Sequence, residues 1–309
     1  MERFNYKFGK LYQPAFDAVP ADLRYTLFGA DYIRLVGKQG GELYVTRHGW
    51  ACIDSILPGA WFMDDRFRKV GRALAGATGA VYRVPVAHRA RSNFALVVKF
   101  SRAGQDVGGT LLDSGGHLDD VELEQIDQAQ FLSPFEEFGN VSRLRAMAKS
   151  AIPTKQPLAI YSPPTRYLDW QLGRKSYMLW RMNRLLEQAQ QDVPEHRRIK
   201  YDWERLYILL YRWIDGIDAE AAARQGLITW ERSTELGLEA RYRMRQLGWM
   251  VCDHKPRHVI IRRPHGRPGF LTRGNRIKWA LIDYELLVPI DAPLPAEAPA
   301  PQPAEQPTA

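Results

Sequence analysis

Three residues in the stretch 249–262, WMVCDHKPRHVIIR, have side chains whose types and spacing suit chemistry. Asp253, Lys255 and His258 lie two and then three positions apart, just before an apolar β-branched run. A carboxylate can accept a proton, an ammonium group neutralises negative charge, and an imidazole nitrogen can bind a metal ion. Asp283 follows another apolar run, where a carboxylate costs free energy unless it is paired or bound to metal. These residues are therefore candidates for a functional site.

Structural roles compete with this interpretation. A carboxylate such as that of Asp283 also serves to cap a turn. His254 and His258 have the spacing of two metal ligands on one helix face, but Pro256 between them argues against a continuous helix. We therefore discount a helical histidine pair.

The chain around these residues is strongly basic. From Asp253 to Lys278 it has eight Lys or Arg residues and one acidic residue, within a protein of net charge +8. Such a strip favours a polyanionic partner, whether phosphates, nucleic acid or an acidic lipid head group. A solvated basic surface is an equally good interpretation of the charge alone.

The composition places limits on the kind of protein. A chain of 309 residues with 45% hydrophobic and 25% charged residues is long and apolar enough for one large or two modest cores, which excludes disorder for most of it. It begins with the charged segment MERFNYKFGK, and no run approaches the roughly 20 apolar residues of a bilayer span, so we expect a cytoplasmic protein. Cys52 and Cys252 are too far apart to indicate a disulfide framework or a thiolate metal site.

The elements that must position the candidate residues can be predicted from the apolar patterns. The first seventy residues indicate short strands in hairpins with no clear helix. Two apolar runs at 81–86 and 94–100 indicate an antiparallel pair after a glycine-rich turn. Ser133, Pro134 and Glu136 are typical of an N-cap, a first helical position and a capping box, and they predict a helix.

Further elements follow along the chain. RLYILLYRWIDG predicts a buried strand leading into a turn, and TWERSTELGLEARYRMRQLGW predicts a long helix. HVIIR and KWALIDYELL predict a last pair of strands. Residues 165–192 indicate a helical insertion, and the Pro- and Ala-rich residues 289–309 indicate a disordered tail.

This succession of elements resembles the protein-kinase-like fold over roughly residues 70–288. The segment LAGATGAVYRV is similar to a kinase glycine-rich loop, with Leu74 at the first glycine position and Gly76, Gly79 and Val81 at the expected spacing. In that family the loop closes over the phosphates of ATP. GATG also occurs in Rossmann-type turns, but those need a helix directly afterwards, and a strand pattern follows here. An ordinary hairpin turn stays an alternative.

The segment ALVVKF is similar to the kinase strand that carries the phosphate-binding lysine. The resemblance implies that Lys99 contacts the α- and β-phosphates and that Glu137, on the capped helix, holds the lysine in place. Glu136 is the alternative partner, although the capping box gives it a structural role. A lysine at the end of an apolar strand is otherwise an ordinary edge residue.

The resemblance also implies roles for the residues first considered. Asp253 would orient the acceptor hydroxyl and take its proton, and Lys255 would neutralise charge on the transferred phosphoryl group. His258 stands where the family has a metal-binding asparagine, and its nitrogen suits manganese or zinc better than magnesium. Asp283 would bind the metal, and Glu285 would add a further contact as in the choline-kinase and aminoglycoside-kinase branches.

By the same resemblance, adenine would lie against the strand and hinge that contain Tyr211, Arg212 and Trp213. Few residues follow Asp283, as in compact members such as lipopolysaccharide-core sugar kinases. The implied fold is α+β and two-lobed, with a β-rich N-lobe and a truncated helical C-lobe. The expected regions are an N-terminal β-rich extension (1–68), an N-lobe (69–218) with a helical insertion (about 151–205), a minimal C-lobe (219–288) and a disordered tail (289–309).

These expectations lead to an ATP-dependent phosphotransferase that uses Mg²⁺ or Mn²⁺ and an anionic or hydroxyl-bearing acceptor. The alternative is a pseudokinase, a nucleotide-binding scaffold for a partner protein, which His258 and Leu74 favour. A nucleic-acid-binding protein is the less favoured third hypothesis. The basic strip is also compatible with peripheral contact to a membrane surface.

Overall fold

The chain forms an α+β structure built on one large antiparallel sheet, which confirms the expected fold class at this level. The computed structural model describes residues 2–8, 12–74, 80–90, 93–107, 129–147, 152–264, 269–274 and 276–290. Gly76 and Gly79 of the predicted glycine-rich loop, and the predicted tail beyond residue 290, lie outside the described residues.

The strands come mainly from short apolar and β-branched runs. In chain order they are β1 (Arg24–Leu27), β2 (Ala30–Val36), β3 (Glu42–Thr46), β4 (Arg72–Ala73), β5 (Val81–Pro85), β6 (Ala95–Phe100), β7 (Gln156–Ser162), β8 (Ile208–Arg212), β9 (Gly216–Asp218), β10 (Trp249–Val251), β11 (Val259–Arg262), β12 (Thr272–Arg273), β13 (Arg276–Ile277), β14 (Trp279–Leu281) and β15 (Leu287–Pro289). The helices are α1 (Arg47–Trp50), α2 (Ile53–Ile56), α3 (Pro58–Trp61), α4 (Arg66–Lys69), α5 (Pro134–Met147), α6 (Ser176–Gln188), α7 (Ala219–Arg224) and α8 (Trp230–Gln246).

The large sheet has eight strands in the order β1-β2-β3-β7-β8-β6-β5-β4, and its neighbouring strands are antiparallel. Strands β1 to β3 therefore belong to the same sheet as β4 to β8. The other strands form the small sheets β14-β11-β9, β10-β15 and β12-β13. None of the described helices has the length and apolar character needed to cross a bilayer.

The alternation of side chains along β6 determines the face of the sheet on which Lys99 lies. Leu96 and Val98 point into an apolar core on one face of the large sheet. Val97 and Lys99 fall on the opposite face, because successive side chains of a strand point to opposite sides. Helix α5 packs on that second face, in a cluster that includes Phe135, Phe138, Ile160, Leu209 and Tyr211.

The predicted cap of α5 is confirmed. The Ser133 amide donates to Glu136 Oε2 over 2.9 Å, and the Glu136 amide donates to Ser133 Oγ over 3.2 Å. Glu136 is thus used by the capping box, while the neighbouring Glu137 is buried against the sheet. The antiparallel pair β5–β6, the strand β8, the helix α8 and the pair β11–β14 are confirmed as well.

The sequence shows no clear helix in the first seventy residues, but the structure has four there, α1 to α4, all between residues 47 and 69. Each is a single turn, too short to produce a clear helical pattern. Thr46 caps the first by accepting a hydrogen bond from the Gly49 amide. Trp50, Ile56 and Trp61 then bury their side chains in the core beneath the sheet.

A second apolar cluster surrounds β11 and β14. It contains Ala222, Leu236, Ala240, Val259, Ile261 and Leu281, and it packs α7 and α8 against these strands. Val259 and Leu281 are partners in the β11–β14 register. Residues just outside the paired ends, at 258 and at 282–283, are consequently held side by side.

Candidate functional site

Lys99 and Glu137 form an ion pair between the sheet and α5. The Lys99 Nζ lies 3.2 Å from both carboxylate oxygens of Glu137, and both residues are buried. Such burial is costly for a charge that lacks a partner. Burial alone would lower the pKa of Lys99, but the carboxylates of Glu137, Glu285 and Asp283 raise it above its ordinary value. The lysine is therefore charged at neutral pH.

Two further carboxylates converge on the same ammonium group. Glu285 Oε2 lies 3.0 Å and Asp283 Oδ1 lies 3.6 Å from Lys99 Nζ. Burial by itself would raise the pKa of Asp283, yet the positive charges of Lys99 and Lys155 help to hold it below its ordinary value. Asp283 is thus an anion in the folded protein, as a metal-binding carboxylate must be.

Asp253, Lys255 and His258 lie in the connection between β10 and β11. Asp253 Oδ1 is 2.8 Å from Lys255 Nζ, and His258 Nδ1 is 2.9 Å from the Asp253 carbonyl oxygen. The chain passes from an extended conformation at Lys255 into a short 3₁₀ turn, Pro256–His258, and then into β11. This turn places the histidine beside the aspartate backbone.

The β11–β14 pairing brings this connection to Asp283. The Ile282 amide donates to the His258 carbonyl oxygen over 3.1 Å, and His258 Nε2 lies 3.7 Å from Asp283 Oδ2. One potential ligand atom from each of Asp253, His258 and Asp283 lies within 4.8 Å of the others. Two carboxylates and one imidazole at this spacing are a chemically suitable set of ligands for a divalent cation.

The charges of the described residues around this point also suit a cation. The carboxylates are those of Glu137, Asp253, Asp283 and Glu285, and the ammonium groups are those of Lys99, Lys155 and Lys255. The acidic groups outnumber the basic ones, so a bound cation would reduce the repulsion among the carboxylates.

The predicted nucleotide-binding residues are distributed over the neighbouring strands. Val81 on β5 is the register partner of Lys99. Tyr211 on β8 is fully buried and donates to Glu137 Oε1 over 2.7 Å, so it contacts the ion pair. Arg212 and Trp213 are half-buried at the end of β8, where the Arg83 guanidinium lies 5.2 Å from the Trp213 ring.

Lys155 is a residue of this site that the sequence interpretation missed. Its Nζ lies 2.8 Å from Glu137 Oε1 and 3.8 Å from the centre of the Tyr211 ring. Burial disfavours the charged form and lowers the pKa of Lys155, although Glu137 opposes that shift. The sequence feature that could have indicated Lys155 is its position directly before the apolar strand β7. Lys99 likewise lies near the end of an apolar strand, β6.

Comparison of the chain with models of protein families, with curated proteins and with solved structures found no match.

Proposed function

We propose that the protein is an ATP-dependent phosphotransferase with a two-lobed, protein-kinase-like arrangement, which transfers the γ-phosphate to a hydroxyl acceptor. In this proposal the large sheet with α5 corresponds to the N-lobe. The region from α7 to β15 corresponds to a short C-lobe, and the cluster around Lys99 and Asp283 lies where the two regions meet.

The observation that carries the proposal is the contact of Lys99 with both Glu137 and Asp283. A kinase requires its strand lysine to be paired with the helix glutamate and its metal-binding aspartate to be in place. Here one ammonium group reaches both carboxylates, at 3.2 Å and 3.6 Å. Strand β4 precedes the glycine-rich segment, and Lys99 lies on β6, the third strand when β4 is counted as the first. The phosphate-binding lysine of a kinase also lies on a third strand.

The residues of the β10–β11 connection, together with Asp283, then each have a role in phosphoryl transfer. Asp253 would accept the proton of the acceptor hydroxyl, and Lys255, paired with it at 2.8 Å, would turn toward the γ-phosphate when ATP is bound. Asp283 and His258, with Glu285 nearby, would hold the metal ion. A divalent ion at this place would neutralise charge on the β- and γ-phosphates.

The basic strip indicates an anionic acceptor. Arg257, Arg262 and Arg263 follow Asp253 closely in the chain and are only partly buried. An acceptor that carries phosphate or carboxylate groups would be attracted to this surface, and the attraction would weaken with salt.

A second candidate function is nucleotide binding without transfer. It is favoured by the closed set of ion pairs, since Lys99 contacts three carboxylates and Lys255 contacts Asp253. In a regulatory scaffold these ion pairs would stabilise the fold, and a partner protein would bind the nucleotide-bound form.

The test is thermal unfolding of the full chain with ATP and Mg²⁺ or Mn²⁺, followed by measurement of ADP in the same samples. We expect metal-dependent stabilisation and ADP formation, both lost in Asp283→Asn and both retained in the exposed control Asp192→Asn. Stabilisation without ADP, with a panel of anionic alcohols supplied, would favour the scaffold. Absence of stabilisation by any nucleotide would exclude both candidates and direct attention to salt-sensitive binding of nucleic acid.

A further inference from the structure

The hydrogen bonding of His258 fixes which of its ring nitrogens can bind a metal ion. Nδ1 lies 2.9 Å from the carbonyl oxygen of Asp253, and a carbonyl oxygen can only accept. Nδ1 therefore carries the hydrogen, and in the neutral ring the lone pair is on Nε2. A backbone carbonyl that holds the non-ligating nitrogen is the usual support of a metal-binding histidine.

Asp283 lies close to Nε2, the ring nitrogen that carries the lone pair. The separation of 3.7 Å between Nε2 and Asp283 Oδ2 is too long for a hydrogen bond. Two ligands on one ion at bond lengths of about 2.1 Å are separated by about 3.0 to 4.2 Å, depending on the coordination angle. The observed separation falls inside this range.

Asp253 completes the ligand set. One of its carboxylate oxygens lies within 4.8 Å of the ligand atoms of His258 and Asp283. Lys255 contacts Oδ1 of this carboxylate, and a carboxylate has two oxygens with which to bind. The three residues lie at one end of the β11–β14 pair, before β11 and after β14, so ordered backbone hydrogen bonds support the set.

We infer that Asp253, His258 and Asp283 form a divalent-cation site that selects a first-row transition metal, represented by Mn²⁺, over Mg²⁺. Mg²⁺ prefers an all-oxygen octahedron and keeps several waters, whereas Mn²⁺ accepts an imidazole nitrogen beside carboxylates. The inference deepens the proposed function, because the site is the metal position of that reaction. It requires no nucleotide, because all three ligands belong to the protein.

The first test is a titration of the metal-free full chain with Mn²⁺ in the absence of nucleotide. The EPR signal of free Mn²⁺ is used to measure how much of the ion has bound. We expect one bound ion per chain, with Mg²⁺ competing only at an excess of about a hundredfold. His258→Asn replaces the nitrogen ligand by an amide oxygen and should reduce the preference for Mn²⁺ by about tenfold or more. The exposed control His196→Asn should leave the preference unchanged.

The second test needs no variant and so does not depend on whether His258→Asn folds. Pulsed EPR of the Mn²⁺-loaded wild-type chain should detect coupling to an imidazole nitrogen. A bound ion without that coupling, absence of a one-to-one Mn²⁺ site, or an unchanged preference in folded His258→Asn would overturn the inference.

These outcomes are separable from those of the proposed function. If Mn²⁺ binds through nitrogen but ATP neither binds nor reacts, the metal site stands and the phosphotransferase proposal fails. If ATP is used with Mg²⁺ as readily as with Mn²⁺, the phosphotransferase stands and the metal preference fails.

Discussion

Lys155 and Glu137 form a 2.8 Å ion pair inside the protein, through Glu137 Oε1, an oxygen that Lys99 Nζ also contacts at 3.2 Å. Glu137 is consequently held by two lysines and by the hydroxyl of Tyr211. A carboxylate with this many buried partners has little freedom to leave its position. The ion pair between α5 and β6 is thus held in place by contacts within the protein itself.

We predict that Lys155→Met destabilises the protein by about 3 kcal/mol, because it removes one partner from a buried ion pair. Urea unfolding at pH 7 measures the change, and the exposed control Lys200→Met should unfold with the wild-type midpoint. A wild-type midpoint for Lys155→Met would show that Lys99 and Tyr211 alone suffice to hold Glu137.

Lys99→Met and Asp283→Asn should each remove the increase in melting temperature that ATP produces. The first change removes the cation predicted to contact the α- and β-phosphates, and the second removes a proposed ligand of the metal. The measured quantity is the difference in melting temperature with and without ATP in each variant, so a change in intrinsic stability does not interfere. The exposed Lys69→Met is the matched control. If both site variants keep the full ATP effect, the assignment of these residues is wrong.

Asp253→Asn should leave ATP binding with Mg²⁺ near the wild-type level and reduce the rate of transfer by about 10² to 10⁴-fold. An amide cannot take the proton of the acceptor, but its oxygen can still bind a metal ion in place of the carboxylate, and the phosphate-binding residues are unchanged. ATP affinity and ADP formation should be measured on the same preparation. Turnover that persists at the wild-type rate would exclude Asp253 as the base.

The pH dependence of stability should reveal the charge on Glu137. Burial would raise its pKa, but Lys155 and Lys99 lower it below the ordinary value. A carboxyl group whose pKa is lowered by folding stabilises the native state above its unfolded pKa, about 4.3 for glutamate, and this contribution is lost as the pH falls further.

The measurement is the difference in free energy of unfolding between wild type and Glu137→Gln, from pH 7 to pH 3. It should be constant near neutrality and shrink below about pH 4. A difference that stays constant to pH 3 would mean that the interaction does not depend on the carboxylate charge.

Local sequence patterns identified much of this arrangement. The capping box assigned Glu136 to the helix end and left Glu137 for the sheet, and the structure places the two residues in those positions. The contact of Lys99 with Glu137 was expected from the motifs, whereas the 3.6 Å approach of Lys99 to Asp283 was not. The roles of these residues in catalysis stay predictions.

Other features depend on contacts between distant parts of the chain, which local patterns do not contain. Lys155 acquires its partners only because β7 is inserted between β3 and β8. The one-turn helices α1 to α3 form because their tryptophans and isoleucines are buried under the sheet, and such short elements carry no periodic signal.

The insertion of β7 beside β3 has a consequence for synthesis of the chain. The Thr46 hydroxyl donates to the carbonyl oxygen of Pro157, 111 residues later. At ribosomal rates of about 5 to 20 residues per second, the partner of β3 emerges on the order of ten seconds after β3 itself. For that interval β1 to β3 have an open edge, which can pair with another nascent chain. Slower elongation between residues 46 and 157 would lengthen the exposure and lower the yield of correctly folded protein.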